Sequence, residues 1–440
     1  MLPDSRQGTA RSGAERSGAS ALPEQCLALV VLWSASEPAR AGEVALLRPE
    51  DLSWVLGSTH SGSARAERGA RPEPMARPTQ DPELGFFRQR PQGCPGTEDP
   101  SEARPLLCAG GARWRLELAA REDGLLVHNV GPCQLLVNGS AAHSAVIAQN
   151  DTLYLRDQLM VLCSRRPRTV APLRAYPKER VPEFGQADRD GLVGESPSVW
   201  SLRERLAAHA RTQSPLLVSG ESRVARRTAA RAIHSLSPLS DRPLLEGDCE
   251  RLPGRLSALE DTALFLDEVE ALPESLRAQL RSMLRLRSEL QAGTVRSPSV
   301  SPGPLRAPLR LIGGTARPEE LSEDLRHLFT RQIHVPSLNQ IREDIPLLVR
   351  WLLGTQFEEE EIWGLRTSGD ASPSADPLLI EQLVQHTYYE GSEELRELLE
   401  RALVESLGDM VHPLRHEVLE AWASRAALRM RRSRAGKGGG

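Results

Sequence analysis

Two adjacent carboxylates, Asp267 and Glu268, follow directly on a short apolar run at residues 263–266. A short apolar run bounded by polar residues is typical of a strand buried in a parallel sheet. In open α/β sheets ligands bind at the carboxyl ends of such strands, where carboxylates can hold Mg²⁺ and polarise a water molecule against a nucleoside triphosphate. An acidic turn after a buried strand would show the same residues. Asp267 and Glu268 are therefore candidate catalytic residues whose chemistry depends on their neighbours.

A second candidate site follows another apolar run, at residues 216–219. The chain continues there as Gly-Glu-Ser-Arg-Val-Ala-Arg-Arg-Thr, residues 220–228. A loop that wraps phosphates needs glycines at which the backbone can turn, and a lysine that reaches the β- and γ-phosphates. Here Arg, Val and Ala fill residues 223–225, and Arg226 stands in the place of the lysine. Arginine is bulkier and forked, so it does not replace lysine in a tight site.

The only lysines of the whole chain are Lys178 and Lys437, so no shift of this pattern supplies the missing one. The sequence thus predicts a degenerate phosphate loop. Its candidate cofactor-binding residues are Gly220, Glu221, Ser222, Arg226, Arg227 and Thr228. We expect no cofactor and no metal site there. ATP with Mg²⁺ would be the cofactor only if the phosphate loop and the two carboxylates still worked together.

Length and composition limit the possible number of domains and the possible classes of protein. At 440 residues the chain has room for two or three domains, and its 40% hydrophobic and 26% charged residues are typical of soluble globular domains. No run approaches the roughly 18 apolar residues of a membrane span, and the N-terminus lacks the apolar region of a secretory signal. The six cysteines include no CxxC pair, which indicates reduced thiols. We therefore expect a cytoplasmic protein with no membrane partner, and the net charge of −4 does not imply nucleic acid.

The N-terminal third has the pattern of an all-β domain. Residues 1–25 are rich in Gly, Ser, Ala and Arg and are expected to be disordered. Short strand candidates joined by Asn, Gly and Asp turns predict a β-sandwich over residues 26–165. Within it, residues 58–84 and 88–105 are predicted to be loop insertions or mobile segments, and the proline-rich residues 166–190 an interdomain linker. The strand candidates lie at residues 27–32, 54–57, 114–119, 125–128, 133–137, 145–147, 152–155 and 159–163.

The end of this region resembles a forkhead-associated (FHA) domain, in residues 129–139 (NVGPCQLLVNG) and 150–155 (NDTLYL). Domains of that family bind phosphothreonine through loop residues, chiefly an arginine after a glycine, a serine and an asparagine. In this chain Ser58 stands where that arginine is expected. Arg88 and Arg90 lie in the stretch that matches the family's Ser-Arg-x-His and could supply some donors. Because the set is incomplete, the resemblance favours a protein-interaction or packing module over a phosphothreonine reader.

The stretch LFLDEVEALPESLRAQLRSML, residues 264–284, resembles the Walker B strand and following helix of the sigma-54-dependent transcriptional activators, a branch of the AAA+ ATPases. Other segments match that family in the same order. They are GLVGES at residues 191–196, PSLNQIREDIPLL at 336–348 and YEGSEEL at 389–395. The resemblance implies a parallel-sheet P-loop-type domain with a helical lid.

The fold class expected for the whole chain is therefore α/β and all-β multidomain. An FHA-like β-sandwich is followed by a reduced AAA+ domain and a lid. The resemblance places the degenerate AAA+ core at residues 191–355 and the lid with a basic tail at residues 376–440. Between them, residues 356–375 are acidic and then rich in Ser and Pro, and are expected to be a flexible linker.

Several parts of the family's machinery are missing. In the family a long segment before the Walker B strand carries a GAFTGA loop that contacts the sigma-54 factor, and residues 237–260 contain nothing like it. Ala316 replaces the sensor asparagine, and a glutamate replaces the sensor arginine within residues 389–395. An arginine finger cannot be placed without a gap, with Arg326 and Arg331 as candidates. The tail shows one helix and several arginines but no helix-turn-helix, so we interpret it as a solvated basic end.

Two functional hypotheses follow. The first is a sigma-54-activator-like protein without catalysis, a regulatory or interaction subunit whose protein partners could include related AAA+ activators. Direct contact with sigma-54 RNA polymerase or with DNA is not expected under it. The alternative is an activator that binds and still hydrolyses ATP, which Asp267 and Glu268 favour. If no nucleotide binds, buried Asp267 needs another partner, and the sequence predicts a contact at ~2.7–3.2 Å with Arg223, Arg226 or Arg227.

Overall fold

The computed structural model describes most of the chain from residue 25 onwards. The described residues are 25–48, 50–59, 82–107, 114–122, 124–248, 262–291, 309–356, 374–406 and 410–420. The predicted N-terminal disorder up to residue 24, most of the acidic linker (357–373) and the arginine-rich tail (421–440) lie outside them. Within the described part, no helix combines the length and the apolar character that a membrane crossing requires.

The N-terminal part is a sandwich of two mainly antiparallel sheets. The described strands form a six-stranded sheet in the order β2-β1-β11-β10-β7-β8 and a five-stranded sheet in the order β4-β3-β5-β6-β9. The strands are β1 Gln25–Ser34, β2 Val44–Leu47, β3 Ser53–Thr59, β4 Leu106–Leu107, β5 Arg115–Arg121, β6 Gly124–Asn129, β7 Leu135–Val137, β8 Ser140–Ala142, β9 Ser144–Ile147, β10 Thr152–Leu155 and β11 Leu159–Pro167.

The alternation of buried apolar and more exposed side chains along the strands explains why the two sheets pack face to face. In β6 the apolar Leu125 and Val127 are buried between the sheets, while their neighbours along the strand are only half-buried. Trp54 and Trp114 fill the same core from the five-stranded sheet. All eight strand candidates of the sequence coincide with strands of this sandwich. The short strands β2, β4 and β8 were not predicted, because runs of two to four residues show no clear alternation.

The stretch 88–105 is irregular, as expected for a loop insertion. It has little regular structure, but its beginning is packed tightly: Gln89 is 4% exposed and Arg90 3% exposed. The preceding Phe86 and Phe87 are held by bridges to Arg104 and Val44. Composition did not show that Gln89 and Arg90, the polar side chains at its beginning, find hydrogen-bond partners inside the protein.

The second part is built on a five-stranded parallel sheet in the order β13-β14-β15-β12-β16. Its strands are β12 Leu216–Ser219, β13 Leu244–Asp248, β14 Thr262–Asp267, β15 Leu309–Thr315 and β16 Arg331–His334. Helices α1 Pro197–Ala210 and α2 Arg223–Ser235 cover one face, and α3 Glu274–Gln291 and α4 Glu323–Leu328 cover the other. Helix α1 begins at Pro197 because Ser196 caps it: Ser196 Oγ accepts a hydrogen bond from Val199 N, and proline is well suited to the first helical position.

The C-terminal part contains the helices α5 Ile345–Trp351, α6 Pro377–Gln385 and α7 Ser392–Glu405 and the short strand pair β17 Ser374–Ala375 and β18 Met410–Val411. Residues 416–420 are also helical. Asp376 caps α6 by accepting a hydrogen bond from Leu378 N at 2.8 Å. These helices share one apolar core with the outer face of the six-stranded sheet. That shared core includes Leu32, Tyr154, Met160 and Leu162 of the sandwich and Leu379, Leu383, Leu395, Leu398 and Leu399 of the helices.

Buried ion pairs also join the sandwich to the second part. Arg90 Nε donates to Glu195 Oε2 at 3.0 Å, and Arg90 Nη2 donates to the other carboxylate oxygen. Both side chains are 1% exposed. Arg166 Nε donates to Glu343 Oε2 at 3.2 Å. Since buried ions are stable only when paired and hydrogen-bonded, these contacts fix how the two parts meet.

A buried carboxylate beside this junction makes stability depend on pH. Asp344 Oδ1 accepts from the backbone N–H groups of Glu195 and Ser196, and Oδ2 has no hydrogen-bond partner within the described structure. Burial, reinforced by Glu343, raises the pKa of Asp344 to about 7 against the lowering effect of its hydrogen bonds and Arg166. The unfolded value is about 3.9. Folding therefore favours the protonated form, and this contribution to stability is lost as the pH rises through about 7.

We expect Asp344→Asn to be more thermostable than the wild type at pH 8 and equal to it near pH 4, because asparagine keeps an acceptor for both N–H groups without a charge. Thermal denaturation across that range, with the wild type as reference, measures the difference. Parallel curves for the two proteins would contradict the assignment.

Candidate functional site

The candidate site lies at the carboxyl edge of the parallel sheet. There β14 ends at Asp267, and β12 runs into the turn of Gly220, Glu221 and Ser222. Strand β15 lies between these two strands. Asp267 is on the same sheet face as Phe265, the face covered by α1 and α2. The carboxylate therefore points toward the helix that follows the turn.

Arg226 occupies the site facing Asp267. Its Nε donates to Oδ1 at 2.8 Å and its Nη2 to Oδ2 at 2.9 Å, a bidentate pair in which Arg226 is 2% and Asp267 5% exposed. Arg226 Nη1 donates to the carbonyl oxygens of Gly220, at 2.7 Å, and Glu221, at 3.2 Å. The guanidinium thus binds both the carboxylate and the turn that was the candidate phosphate loop. The predicted arginine contact with Asp267 is confirmed.

The other two candidate arginines have different places. Arg223 Nε lies 3.3 Å from Asp267 Oδ2, and its side chain is 47% exposed, so it is a second, solvent-facing cation at the carboxylate. Arg227 points away and pairs with Glu246 of β13 at 2.8 Å. The structure therefore brings Arg226 and Arg223 to the candidate site and excludes Arg227 from it.

Gly314 makes room for this arrangement. A Cβ atom on residue 314 would lie 2.2 Å from Asp267 Oδ1, which no side chain can tolerate. The carboxylate therefore lies flat against the backbone of β15. The sequence signal was available, since Gly313 and Gly314 are adjacent glycines in a strand, where glycine often marks a close approach of other groups.

The candidate phosphate loop is mostly helix. Helix α2 begins at Arg223, and Ser222 caps it by accepting from Ala225 N at 3.0 Å. Without glycines at residues 223–225 nothing stops the helix from extending toward the sheet. The backbone available to wrap a phosphate is thus reduced to Gly220, Glu221 and Ser222.

Glu393 of α7 closes the N-terminus of α2. Its Oε1 accepts from Val224 N at 2.8 Å, and its Oε2 accepts from Ser222 Oγ at 2.5 Å. Ser392 Oγ is 2.6 Å from Ser222 Oγ. The free N–H groups and the dipole of a helix N-terminus favour an anion, and here the chain supplies its own carboxylate. We call the contacts of Glu393 with Ser222 and Val224 the carboxylate latch.

Sequence reasoning missed this latch. It noted only that a glutamate replaces an arginine in this segment, and Glu393 is 169 positions from Val224, so no local pattern links them. Gly391 offered a partial signal. Its φ is +69°, and a Cβ there would lie 2.7 Å from Ser222 Cβ, so only glycine lets α7 approach the turn this closely.

The candidate residues Glu268 and Thr228, and Thr315 at the end of β15, lie around the same edge of the sheet. Glu268 is exposed and has a left-handed backbone, with φ of 54°, an uncommon conformation for glutamate. Thr228 borders an apolar pocket. Thr315 ends β15, and its Oγ1 accepts from Arg317 N. Among the described residues, no group of three or more His, Cys, Asp or Glu could hold a metal ion.

Comparisons with known proteins agree with this architecture. Residues 192–260 match the sigma-54 interaction domain family. The chain is 28% identical over 260 residues to the response regulator protein PilR of Pseudomonas aeruginosa, over 53% of this chain and 57% of PilR. It is 26% identical over 250 residues to the transcriptional regulatory protein ZraR of Escherichia coli, over 51% of this chain and 55% of ZraR. The chain thus spans a little over half the length of these curated relatives.

Among solved structures, NtrX from Brucella abortus in complex with ATP aligns with a TM-score of 0.40 and 25% identity, over 50% of this chain and 53% of that chain. Residues 192–260 thus match the sigma-54 interaction domain, the chain is similar in sequence to transcriptional regulators, and the parallel sheet has the α/β architecture that the sequence predicted. This part of the sequence-based prediction is confirmed. The FHA identity of the sandwich, the lid function of the helices and the loss of catalysis stay predictions.

Proposed function

We propose that this chain is a non-catalytic protein of transcription regulation, which acts as a regulatory or interaction subunit. The observation that supports this most directly is the bidentate pair of Arg226 and Asp267. Phosphoryl transfer depends on positioning of the phosphates and on stabilisation of their charge by lysine, metal and sensor groups. Here the carboxylate that would hold the metal is already neutralised by an arginine of the same chain.

The electrostatics of the site oppose a nucleotide in two ways. Binding Mg²⁺ at Asp267 requires separating a buried ion pair, and leaving Arg226 buried without its carboxylate costs roughly 1–3 kcal/mol. A phosphate at the N-terminus of α2 would meet the carboxylate of Glu393, which already accepts from Val224 N. Arg226 therefore takes the place of the magnesium ion at Asp267, and the carboxylate of Glu393 takes the place of a phosphate at the N-terminus of α2.

We expect purified protein to hydrolyse ATP more slowly than about 1 s⁻¹, the lower end of ordinary enzyme rates. A phosphate-release assay measures this, with Glu268→Gln as the matched variant that distinguishes intrinsic activity from contamination. Turnover at about 1 s⁻¹ or faster that is lost in Glu268→Gln would establish the alternative, an ATP-hydrolysing sigma-54-dependent activator. The retention of Asp267 and Glu268 at the end of β14 is the observation that favours this alternative.

Under the proposed function the partners are proteins, with related AAA+ activators as the first candidates. We do not propose direct contact with sigma-54 RNA polymerase, because residues 237–260 contain no GAFTGA sequence. Co-purification with an intact activator, compared with co-purification with sigma-54, separates these partners. Recovery of sigma-54 alone would favour the activator alternative.

We further propose that the sandwich is an FHA-like packing module. The two arginines that could serve a phosphate are already engaged. Arg90 is paired with Glu195 inside the protein, and Arg88 Nε donates to Glu43 Oε1 at 3.4 Å. A phosphothreonine phosphate needs several charge-assisted hydrogen-bond donors. The donors of Arg88 and Arg90 are instead bound to carboxylates of the same chain.

We therefore expect the full chain to bind a phosphothreonine peptide no more tightly than the same peptide without phosphate. Fluorescence anisotropy with a library of paired peptides measures this directly, and each dephosphorylated peptide is the control for its partner. A hit of about micromolar affinity that disappears on dephosphorylation would refute the packing role and restore phosphopeptide recognition.

A further inference from the structure

A cluster of cations lies at the amino edge of the parallel sheet, the edge opposite the candidate site. Arg310 is the second residue of β15, and Arg331 is the first residue of β16. Each lies two positions before an isoleucine, Ile312 or Ile333, that packs against α1 and α2, so both arginines are on the sheet face that these helices cover. Ile312 and Arg331 are both paired with Leu216 of β12, which runs between the two strands. The sheet therefore places both arginines at one edge, beside the end of α1.

Helix α1 adds two groups to this edge. Its last turn contains His209, whose carbonyl oxygen accepts a hydrogen bond from Arg310 Nη2 at 2.8 Å. Arg205 lies one turn earlier on the same side of the helix, and its Nη2 donates to His334 O of β16 at 3.1 Å. Burial, and after it the charges of the three arginines, lowers the pKa of the His209 imidazole, as expected for groups that face one another. We call Arg205, His209, Arg310 and Arg331 the amino-edge cluster.

Within the described part of the chain, no carboxylate pairs with the amino-edge cluster. Arg310 is 1% exposed, and its Nε has no hydrogen-bond partner among these residues. Burial lowers the pKa of Arg310 to about 10, so the side chain stays charged at neutral pH. Glu204, next to Arg205 on α1, accepts from the backbone N–H groups of residues 174–176 instead. The C-terminus of α1 supplies only about half a negative charge. Since buried charges are stable only when they are paired, this cluster lacks a counter-ion.

We propose that the amino-edge cluster binds a small tetrahedral oxyanion of the phosphate type, which supplies the missing counter-charge. Arg331 is exposed, and the planar fork of its guanidinium fits two oxygens of such an ion. The half-buried His209 offers an N–H donor from its ring, and Arg205 and Arg310 add positive charge behind it. The cluster is at the opposite edge of the sheet from Asp267, so this inference goes beyond the proposed function and does not depend on it.

Isothermal titration calorimetry of the full chain with sulfate tests the site, at an ionic strength of about 0.15 M that screens weak surface attraction. Arg331→Gln should weaken sulfate binding at least about tenfold, a difference of about 1.4 kcal/mol. The matched control is Arg121→Gln, the same change at an exposed residue of β5 in the sandwich, which should stay within about twofold of the wild type. Absence of sulfate binding, or an equal loss in the two variants, would overturn the proposal.

His209 gives a second measurement that a merely basic surface would not reproduce. The three arginines and burial keep its imidazole neutral at about pH 8, whereas a bound dianion favours the protonated form. Binding therefore takes up a proton, and sulfate, which keeps both charges, should bind several-fold more tightly at about pH 5 than at about pH 8. His209→Gln should remove this difference. A pH dependence that His209→Gln leaves unchanged would contradict the assignment.

The same oxygens occur on free phosphate and on a phosphorylated side chain of a protein partner. Titrations with inorganic phosphate and with a phosphoserine peptide at about pH 8, where both are dianions, separate these two sources. Tighter binding of the peptide assigns the site to a phosphorylated partner, and tighter binding of inorganic phosphate assigns it to the free ion. In both cases Arg331→Gln should weaken the binding. If neither probe binds, the oxyanion site is refuted, while the proposed function is unaffected.

Discussion

Replacing Asp267 with alanine lowers the free energy of unfolding by roughly 1–3 kcal/mol, because Arg226 is left buried without its carboxylate. Arg226 would keep its bonds to the carbonyl oxygens of Gly220 and Glu221, but its Nε and Nη2 would lose their acceptors in a place that water does not reach. Chemical denaturation monitored by circular dichroism measures the change. If the role of Asp267 were instead to bind a metal ion, Asp267→Ala would lower the free energy of unfolding of the metal-free protein only slightly.

Glu246→Ala is the matched control. Glu246 also pairs with two arginines, Arg227 and Arg231, but those side chains are 46% and 57% exposed. Exposed pairs contribute little, so the control should stay within about 0.5 kcal/mol of the wild type. If Asp267→Ala and Glu246→Ala melt alike, the Arg226–Asp267 pair does not stabilise the fold, and a working nucleotide pocket becomes the better explanation of Asp267.

The second large effect is expected at the junction between the sandwich and the parallel-sheet part. Glu195→Ala should lower stability by roughly 3–5 kcal/mol, the range for breaking a buried pair from one side. Glu195 accepts from Arg90, from Gly185 N at 2.8 Å and from Trp200 Nε1 at 3.2 Å. Its loss leaves Nε and Nη2 of buried Arg90 and two N–H donors without their acceptor, while Arg90 Nη1 keeps its bonds to the carbonyl oxygens of Pro95 and Pro182. Differential scanning calorimetry should then show the single transition separate into two, because the pair joins the two parts.

Glu50→Ala serves as the control for this variant, since Glu50 pairs with Arg168 at the surface, where both side chains are about half exposed. It should melt like the wild type. A Glu195→Ala protein that keeps one transition at an unchanged temperature would show that the apolar contacts alone hold the two parts together.

The local features of the site could be read from the sequence. The apolar run before Asp267 and Glu268 is a buried strand because nothing in it is polar, and the need of a buried carboxylate for a partner pointed to the arginines of α2. The choice among them could also have been made. Arg226 shares a helix face with Ala229, Ala230 and Ile233, all buried, whereas Arg227 and Arg231 lie on the exposed face.

What the sequence could not provide were contacts between distant segments. The latch joins Glu393 to a turn about 170 positions away, and Arg90 is 105 positions from Glu195. Neither glutamate differs, in its local pattern, from any exposed glutamate on a helix or turn. Arg90 lay in a stretch whose composition indicated a loop, because composition does not show which polar groups find partners inside the protein.

The apolar core that the sandwich shares with the C-terminal helices sets an order of events during synthesis. Leu32, Tyr154, Met160 and Leu162 lie on the outer face of the six-stranded sheet, and their cover includes Leu379 and Leu395. At translation rates of about 5–20 residues per second, roughly 200 further residues take on the order of 10–40 s to emerge from the ribosome. During that interval the finished sandwich shows an uncovered apolar patch of the kind that chaperones bind. We therefore expect chaperones to bind the nascent chain at this patch until the C-terminal helices have been synthesised and cover it. An N-terminal fragment produced alone would keep the patch exposed.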